Sequence, residues 1–295
     1  MSLKKNLLFI FILLCSTLSA FAQSKDTILK KIKSNGSDTD EVKRYIKAGE
    51  EVYPTDLKKA NFYWKTAYTK SEKFIELNPT NAGVYKRLQN LSGEILTNLG
   101  YVYNCYGYFD SAIIVLTKSV DLRTRFGEPS DLSDPYNNIA FAQTSLGNYS
   151  ASITNHLKAM AIREKEHDDL GIGHSLYNIA NLYDRMGDTS NANRIYSKAY
   201  LAYKKANSKI GLINCLNSFA VMEIKNKKTE KGKEYLDEAL KISTEGKLHL
   251  LKHSTLHNIG FYYQSKNQHE EALVYYLNCY KFYDSLSIKD DAISD

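Results

Sequence analysis

The sequence repeats itself with a period of 40 residues, and this repeat constrains the fold more than any other feature. One column of the repeat holds large apolar residues, and the next column holds Gly or Ala. In order along the chain, these columns are Leu99, Ile139, Ile179, Phe219 and Ile259, then Gly100, Ala140, Ala180, Ala220 and Gly260. Two more columns lie four residues before and three residues after the small one. Because offsets of i, i+3, i+4 and i+7 share one face of a helix, each period predicts an amphipathic helix.

A second helix is predicted after the first in every period. Its three columns are Ala112, Ser152, Ala192, Gly232, Ala272; Leu116, His156, Tyr196, Leu236, Tyr276; and Ser119, Ala159, Ala199, Ala239, Cys279. Extrapolation of the period toward the N-terminus assigns Ala60, Trp64 and Ala67 to these columns, so a sixth, degenerate unit is predicted to begin near Glu41. Small residues in fixed columns allow two helices to approach to about 8 Å. The chain therefore reads as a series of packed helix pairs.

The turn between the two helices of a pair has its own column. Gly107, Gly147 and Gly187 occupy it in three units, and Lys227 and Asn267 occupy it in the later two. A residue that can adopt positive φ ends a helix at such a place, which suits Gly and Asn better than Lys. The column predicts a tight turn in all five units.

These motifs resemble the tetratricopeptide repeat family, in its subgroup with a long 40-residue repeat. The resemblance covers residues 41–288 and depends on Leu99-Gly100-x-x-Tyr103, the turn glycine, and Ala192-x-x-x-Tyr196-x-x-Ala199. The strings NNIA and AIREK, which begin at residues 137 and 161, are familiar in that subgroup. The resemblance implies an all-α, right-handed superhelical solenoid of about six antiparallel helix pairs, with a concave groove that binds peptides and is lined by the first helix of each pair.

The N-terminal residues predict an exported protein. Residues 1–22 have the layout of a secretory signal peptide, with Lys4 and Lys5 before an apolar run and a small-x-small ending at Ala22. The apolar run is short for a membrane anchor, and Cys15 lacks the small preceding residue of a lipoprotein; both remain as weaker alternatives. Residues 23–40 are interpreted as a linker and 289–295 as a short tail. The expected location is periplasmic or secreted.

Composition excludes several other classes of protein. The formal charge is +6, and removing Lys4 and Lys5 with the signal peptide lowers it to +4 without leaving a basic block. Nucleic acid is therefore not an expected partner, and no later stretch is apolar enough to form an integral membrane segment. Cys105, Cys215 and Cys279 lie in different units, so we expect buried free thiols rather than disulfides.

Asparagine recurs on the first helix, at a position about 160° around the helix from the core-facing Leu96. This column is Asn98, Asn138, Asn178, Ser218 and Asn258, with Asn217 adjacent to the serine. Each amide offers a donor and an acceptor, so the row could hold the backbone of an extended peptide. The resemblance supports this use of the asparagines. The alternative is that each amide braces a neighbouring helix.

Neighbouring positions on the same face would select the side chains of a bound segment. Tyr101, Phe141 and Phe261, with Val221, give an apolar and aromatic lining, whereas Asn181, Asp184 and Arg185 make the middle polar. The basic clamp by which some family members hold a terminal carboxylate is absent, since the matching column carries Thr97, Asn137, Tyr177, Asn217 and His257. We therefore expect an internal or apolar segment as the ligand.

Metal binding and catalysis have little support. His249, His253 and His257 follow one another at intervals of four residues, which is a chelating spacing for one pair. No third ligand lies at a convincing distance, so we expect a polar flank of the groove and no metal or other cofactor. The sequence contains no nucleophile elbow, phosphate loop or His-Glu-x-x-His motif, which argues against an enzyme.

The function predicted from the sequence is that of an exported, non-enzymatic scaffold that binds a peptide or protein segment. The alternative is a detached or truncated sensory module of a signal-transduction protein, of the sensor kinase or transcriptional regulator type. Leu273, Tyr276 and Tyr280 have no following unit to cover them. This uncapped end suggests self-association or a partner that covers it.

Overall fold

The computed structural model describes residues 37–294, with side chains through residue 285. This part of the chain contains α-helices, one short 3-10 helix and no strand. The α-helices are α1 (Asp38–Val52), α2 (Leu57–Leu77), α3 (Ala82–Cys105), α4 (Phe109–Phe126), α5 (Ser133–Ser145), α6 (Tyr149–Lys165), α7 (Asp169–Arg185), α8 (Thr189–Lys205), α9 (Lys209–Lys225), α10 (Thr229–Glu245), α11 (His249–Ser265) and α12 (His269–Ser294). Odd-numbered helices are the first members of six pairs, and even-numbered helices are the second. The all-α helical repeat is confirmed.

The helices pack through the columns that the repeat defines. Every described member of the Ala112 and Ser119 columns is buried, and so are Leu116, His156, Tyr196 and Leu236. On the first helices, Ala140, Ala180 and Ala220 are fully buried. Burying this apolar surface between neighbouring helices is the main stabilising contribution in such an array.

The first pair departs from the period. Ala60 and Ala112 occupy equivalent buried places but are 52 residues apart, not 40. The extra length lies in α2 and α3, which have 21 and 24 residues against 17 in most later helices. Trp64 fills the core beside Gly49, where an added Cβ would lie 2.3 Å from the Trp64 Nε1. Only glycine at residue 49 permits this close approach.

The turn column adopts the expected conformation in all five units. Gly107, Gly147 and Gly187 have φ of 77°, 79° and 79°, and Lys227 and Asn267 have φ of 63° and 60°. The turns between successive pairs follow the same rule, with positive φ at His167, Asn207 and Lys247. This second column was not predicted, because none of the three residues that adopt positive φ in it is glycine. In the equivalent place Gly127 is extended, and a 3-10 helix at Pro129–Leu132 follows it.

The chain forms two compact units, and the boundary between them lies between Leu146 and Gly147. In unit 1, which ends at Leu146, the core joins α1, α2 and α3 around Trp64 and Leu88. In unit 2, which begins at Gly147, aromatic side chains are more prominent, with Tyr196 and Tyr203 both buried.

Helix α1 begins at Asp38, within the segment interpreted as a linker. Ser37 caps this helix, since the Asp40 N–H donates to the Ser37 Oγ and the Ser37 N–H donates to the Asp40 carboxylate. Helix α12 continues to Ser294, through the residues expected to form a tail, because it contains no Gly or Pro that would end it. The proposed signal peptide and the start of the linker lie outside the described residues.

Cys105, Cys215 and Cys279 are free thiols. Cys215 and Cys279 are buried as expected, but Cys105 is exposed in the last turn of α3, so the prediction of burial is wrong there. Within residues 37–294, none of the helices combines the length and the apolar character needed to cross a bilayer.

Candidate functional site

A cleft of about 460 Å³ opens in unit 1 beside three of the predicted site residues, Asn98, Tyr101 and Asn138. Asn98 and Tyr101 belong to α3, and Asn138 belongs to α5, so consecutive first helices contribute to one wall. The other lining residues, which sequence reasoning did not assign to the site, are Glu50, Tyr53, Trp64, Thr97 and Asp134. The cleft therefore collects residues from four helices and the residue that follows α1.

Aromatic rings form one side of the cleft. Tyr53 lies 6.1 Å from Trp64 and 6.0 Å from Tyr101, measured between ring centroids, and the second pair is edge-to-face. Trp64 is fixed in place, since its Nε1 donates to the Ile46 carbonyl at 3.1 Å. Tyr101 is 40% exposed. Tyr53 is exposed to a similar extent, at 43%, so an aromatic wall with two accessible rings can pack against an apolar side chain of a bound segment.

Two carboxylates give the cleft an acidic character. Glu50 and Asp134 line it, and no Lys or Arg is among the lining residues. Partial burial raises the pKa of Glu50 above its usual value. The pKa of Tyr101 is also raised, chiefly by its hydrogen bond with Cys105. The cleft thus favours ligands that donate hydrogen bonds or carry positive charge.

The two asparagines of the cleft are both half-buried. The Asn98 Nδ2 is buried and has no acceptor among the described residues. The Asn138 carbonyl of the backbone accepts from the Asn104 Nδ2 at 2.9 Å, so the backbone of α5 is held against α3 while the Asn138 side chain lines the cleft. The Asn104 side chain therefore joins α3 to α5 by a hydrogen bond, and Asn138 is the residue of this pair that lines the cleft.

Phe141 does not join this cleft. It is 52% exposed, one turn after Asn138 on α5, and its ring contacts Phe109 of α4 at 6.4 Å. The predicted aromatic lining is therefore present in unit 1 at Tyr101 but not at Phe141, and Tyr53 and Trp64 supply the remaining rings.

In unit 2 the equivalent polar residues make contacts within the protein. Asn181 accepts a hydrogen bond from the Tyr196 hydroxyl at 2.5 Å. The Ser218 hydroxyl donates to the Asn214 carbonyl and lies 3.3 Å from the Tyr177 hydroxyl. Tyr177 also packs against Tyr196, with ring centroids 5.5 Å apart. Tyrosines on α7 and α8 thus occupy the polar groups that the sequence suggested for a ligand.

Two of the predicted site residues of unit 2, Asn217 and His257, contact neighbouring helices. Asn217 is only 7% exposed, and its Nδ2 donates to the Thr255 Oγ1 at 3.1 Å, which joins α9 to α11. His257 is exposed, but its ring lies 5.1 Å from Tyr276 of α12. Thr97, in the same column of unit 1, contacts the Ser119 hydroxyl at 2.8 Å and also lines the cleft. The contribution of Asn217 and His257 to a groove stays a prediction.

The remaining predicted residues of unit 2 line neither of the two principal pockets of the described residues. Arg185 is exposed, and the others are half-buried. These others are Asn178, Asp184, Asn258 and Phe261. Phe261 packs on the core around Ile259 and Tyr262.

Two of the three histidines of α11, His253 and His257, contact aromatic rings of α12. The His253 ring stacks on Phe282 at 3.5 Å between centroids, and its Nδ1 lies 2.8 Å from the His249 carbonyl. The His249 side chain is exposed. Among the described residues, no three His, Cys, Asp or Glu side chains are grouped so that they could hold a metal ion.

Sequence reasoning missed Glu50, Tyr53 and Trp64 as site residues. Trp64 was assigned to the core by its column, and it serves both roles because its ring also lines the cleft. The isolated tryptophan was a usable signal, since it is the single one in the chain. Glu50 and Tyr53 lie at the end of the first helix of the degenerate unit, where the 40-residue period gives no alignment.

Two parts of the chain match models of the tetratricopeptide repeat, residues 131–205 and residues 254–283. No curated protein matches the sequence. The first match spans the third and fourth helix pairs, and the second lies in the sixth.

Several solved structures share the fold. A tetratricopeptide repeat protein from Parabacteroides merdae is 16% identical, with 83% of this chain and 80% of that chain covered and a TM-score of 0.55. A Rap protein complexed with competence and sporulation factor is 16% identical, with coverage of 89% and 80% and a TM-score of 0.58. A signal transduction ATPase with numerous domains and a tetratricopeptide repeat sensor, from Pyrococcus horikoshii, is 14% identical, with a TM-score of 0.69. The alignment covers 97% of this chain and 44% of the ATPase.

Proposed function

The chain is a tetratricopeptide repeat protein, and we propose that it binds an extended protein segment in the unit 1 cleft. The observation that carries this proposal is the convergence of Asn98, Tyr101 and Asn138 with the aromatic pair of Tyr53 and Trp64. The amides can hydrogen-bond a peptide backbone, while the rings bury an apolar side chain. The repeat fold typically serves as a non-catalytic scaffold, and the proposed role requires no catalysis.

The buried Asn98 amide supports this role. A buried donor without an acceptor costs about 1 to 3 kcal/mol, so a nearby acceptor supplied by a ligand is favourable. A peptide carbonyl that entered the cleft could become that acceptor after a small rotation of the Asn98 side chain. The Rap protein complexed with competence and sporulation factor shows that a related fold holds a second molecule.

The test begins with a phage-displayed library of random peptides selected on the purified, immobilised chain. The most enriched peptide is then labelled, and its affinity is measured by fluorescence anisotropy. Tyr101→Ala and Asn138→Ala should each weaken binding by about 1 to 2 kcal/mol, or roughly five- to thirtyfold. Circular dichroism should show unchanged helix content in both variants, because neither side chain is fully buried.

Matched controls lie outside the cleft. Tyr108→Ala changes a tyrosine of unit 1 that is 61% exposed, and Asn148→Ala changes an exposed asparagine whose side chain does not cap α6. Both should bind the selected peptide like the unmodified chain. Equal affinity in the cleft variants and the controls would exclude this site.

A second candidate function is the sensory module of a signalling protein. The likeness to the ATPase with a tetratricopeptide repeat sensor favours it, since nearly all of this chain aligns with part of that larger protein. This function predicts a neighbouring reading frame that encodes a membrane helix with a kinase or DNA-binding domain. Peptide binding by the cleft is compatible with it, because a sensor also needs a ligand.

Export and self-association belong to the same proposal. Cleavage after Ala22 would place the mature chain in the periplasm or outside the cell, and mass spectrometry of the protein purified from its own cells would identify the new N-terminus. Helix α12 supports self-association, since it exposes Leu273, Val274, Leu277, Tyr280 and Tyr283 on its surface. Light scattering across a range of concentrations would measure that association.

A further inference from the structure

A second pocket, of about 540 Å³, lies in unit 2 between α8, α9 and α10. Phe219 of α9 forms its floor, and Tyr200 of α8 and Tyr235 of α10 stand on either side. The Phe219 ring centroid is 6.3 Å from Tyr200 and 5.5 Å from Tyr235. The pocket thus lies between two second helices and includes none of the asparagine column.

The repeat shows that this pocket is a local departure and not a shared property of the units. Phe219 stands where the other first helices carry Leu99, Ile139, Ile179 and Ile259. Glu223 stands where three of them carry tyrosine, namely Tyr103, Tyr183 and Tyr263. Phe219 adds an aromatic ring to the floor of the pocket. Glu223 introduces a carboxylate in place of a tyrosine ring, and its side chain is only 15% exposed.

The pocket already accommodates one positive charge from the protein itself. The Lys231 Nζ lies 2.8 Å from the Glu223 Oε1 and 5.8 Å from the centroid of the Tyr235 ring. Lys231 approaches from the surface, since its side chain is half exposed. A carboxylate beside an aromatic face is a favourable environment for a cation.

A second carboxylate remains available at the rim. Glu238 of α10 lines the pocket and is exposed. Within residues 37–285, no Lys or Arg forms an ion pair with it. Glu238 and Tyr200 both line the pocket, and the pKa of Tyr200 is raised, first by burial and next by the Glu238 carboxylate.

We propose that this pocket binds the guanidinium group of an arginine side chain presented by a partner protein. A guanidinium is planar, so it can stack on Tyr200 or Phe219 while it hydrogen-bonds the Glu238 carboxylate. The aliphatic part of the arginine side chain would contact Leu201 and Met222, which also line the pocket. This site is independent of the unit 1 cleft and does not depend on peptide binding there.

The test uses Nα-acetyl-arginine amide as the probe and Nα-acetyl-citrulline amide as its neutral isostere. Each is titrated into the isotopically labelled, purified chain and followed by two-dimensional NMR. The arginine compound should shift signals of residues around Phe219, and the citrulline compound should bind roughly tenfold more weakly, because it lacks the charge. Equal binding of the two compounds would overturn the proposal.

Two substitutions should change the affinity for the arginine compound in opposite directions. Glu238→Gln removes the available carboxylate and should weaken binding roughly tenfold. Lys231→Met removes the internal cation that competes for Glu223 and should strengthen binding about threefold or more. A general loss of structure would weaken binding in both variants, so the opposite signs separate the two explanations.

The controls are on the same helix and outside the pocket. Glu234→Gln removes a carboxylate one turn before Glu238, and Lys233→Met removes an ammonium group two residues after Lys231. Neither residue lines the pocket. Both should leave the affinity unchanged. Weaker binding in the Lys231→Met variant, or an equal effect of Glu234→Gln and Glu238→Gln, would refute the proposed site.

Discussion

The first helices of unit 1 and unit 2 both carry polar residues on the face predicted for the groove, yet the two units use them differently. In unit 1, Asn98 and Asn138 line an open cleft. In unit 2, Tyr177 and Tyr196 contact the polar groups of Ser218 and Asn181. A repeat position fixes where a side chain lies on its own helix. The side chains of other helices decide whether that group stays available to a ligand.

The largest expected effect concerns the core beneath the unit 1 cleft. Trp64→Ala should destabilise the protein by about 3 to 5 kcal/mol, since the ring is 2% exposed and its removal leaves a cavity next to Gly49. Urea denaturation followed by circular dichroism measures the loss. If unit 2 is stable by itself, the transition should also become biphasic.

Phe62→Ala is the control for this substitution. It removes an aromatic ring from the same helix at a site that is 63% exposed, so the expected change is within about 0.5 kcal/mol. Similar losses in both variants would contradict the assignment of Trp64 to the core, because Ala raises the helix propensity of α2 in both.

The next effect distinguishes unit 2 by its response to pH. His156 occupies the column in which unit 1 has Leu116, and burial lowers its pKa to about 4 from 6.5. In the unfolded chain this histidine gains a proton near pH 6.5, whereas in the folded chain it stays neutral until about pH 4. Its contribution to stability is therefore complete above pH 6.5, and about 3 kcal/mol is lost as the pH falls to 4.

His156→Leu tests this effect by placing the unit 1 residue in unit 2. The free energy of unfolding should then depend less steeply on pH between 6.5 and 4. Some dependence should remain, because burial also lowers the pKa of His174. An unchanged pH profile in the variant would show that His156 is not the group responsible.

The smallest expected effect separates the two uses of asparagine. Asn217→Ala should cost about 1 kcal/mol, since it removes the hydrogen bond to Thr255 from a buried site. Asn138→Ala should change stability by less than about 0.5 kcal/mol, because its side chain faces the cleft. Thermal unfolding of the two variants measures both changes. Equal losses of stability in the two variants would mean that the Asn138 side chain also joins neighbouring helices.

Most of the fold followed from the sequence because the repeat is periodic. The columns of small residues placed Ala112, Ala159 and Ala199 in the core, and each is fully buried. The turn column identified positive φ even at Lys227, since the position in the unit outweighs the preference of the residue. The period failed where helix length changed, as it did between Ala60 and Ala112.

The candidate site was less predictable. The angular position of Asn98 and Asn138 on their helices was informative, since both residues line the cleft. The adjacent column lies 100° around the helix and is mixed, because Thr97 lines the cleft whereas Asn217 contacts Thr255 of another helix. The period of one helix does not show which of its residues a neighbouring helix covers. Glu50 and Tyr53 could not be found at all, because no periodic signal reaches them.

The sequence by itself determined the helix pairs, their turns and the columns that pack, because these depend on spacing along one chain segment. Only the tertiary structure decided which polar side chains remain open. That outcome depends on residues far apart in sequence, such as Asn98 and Asn138, which line one cleft in unit 1, and Tyr196, whose hydroxyl donates to Asn181 in unit 2. Helix periodicity is a local property, whereas the availability of a side chain is set by the surfaces packed around it.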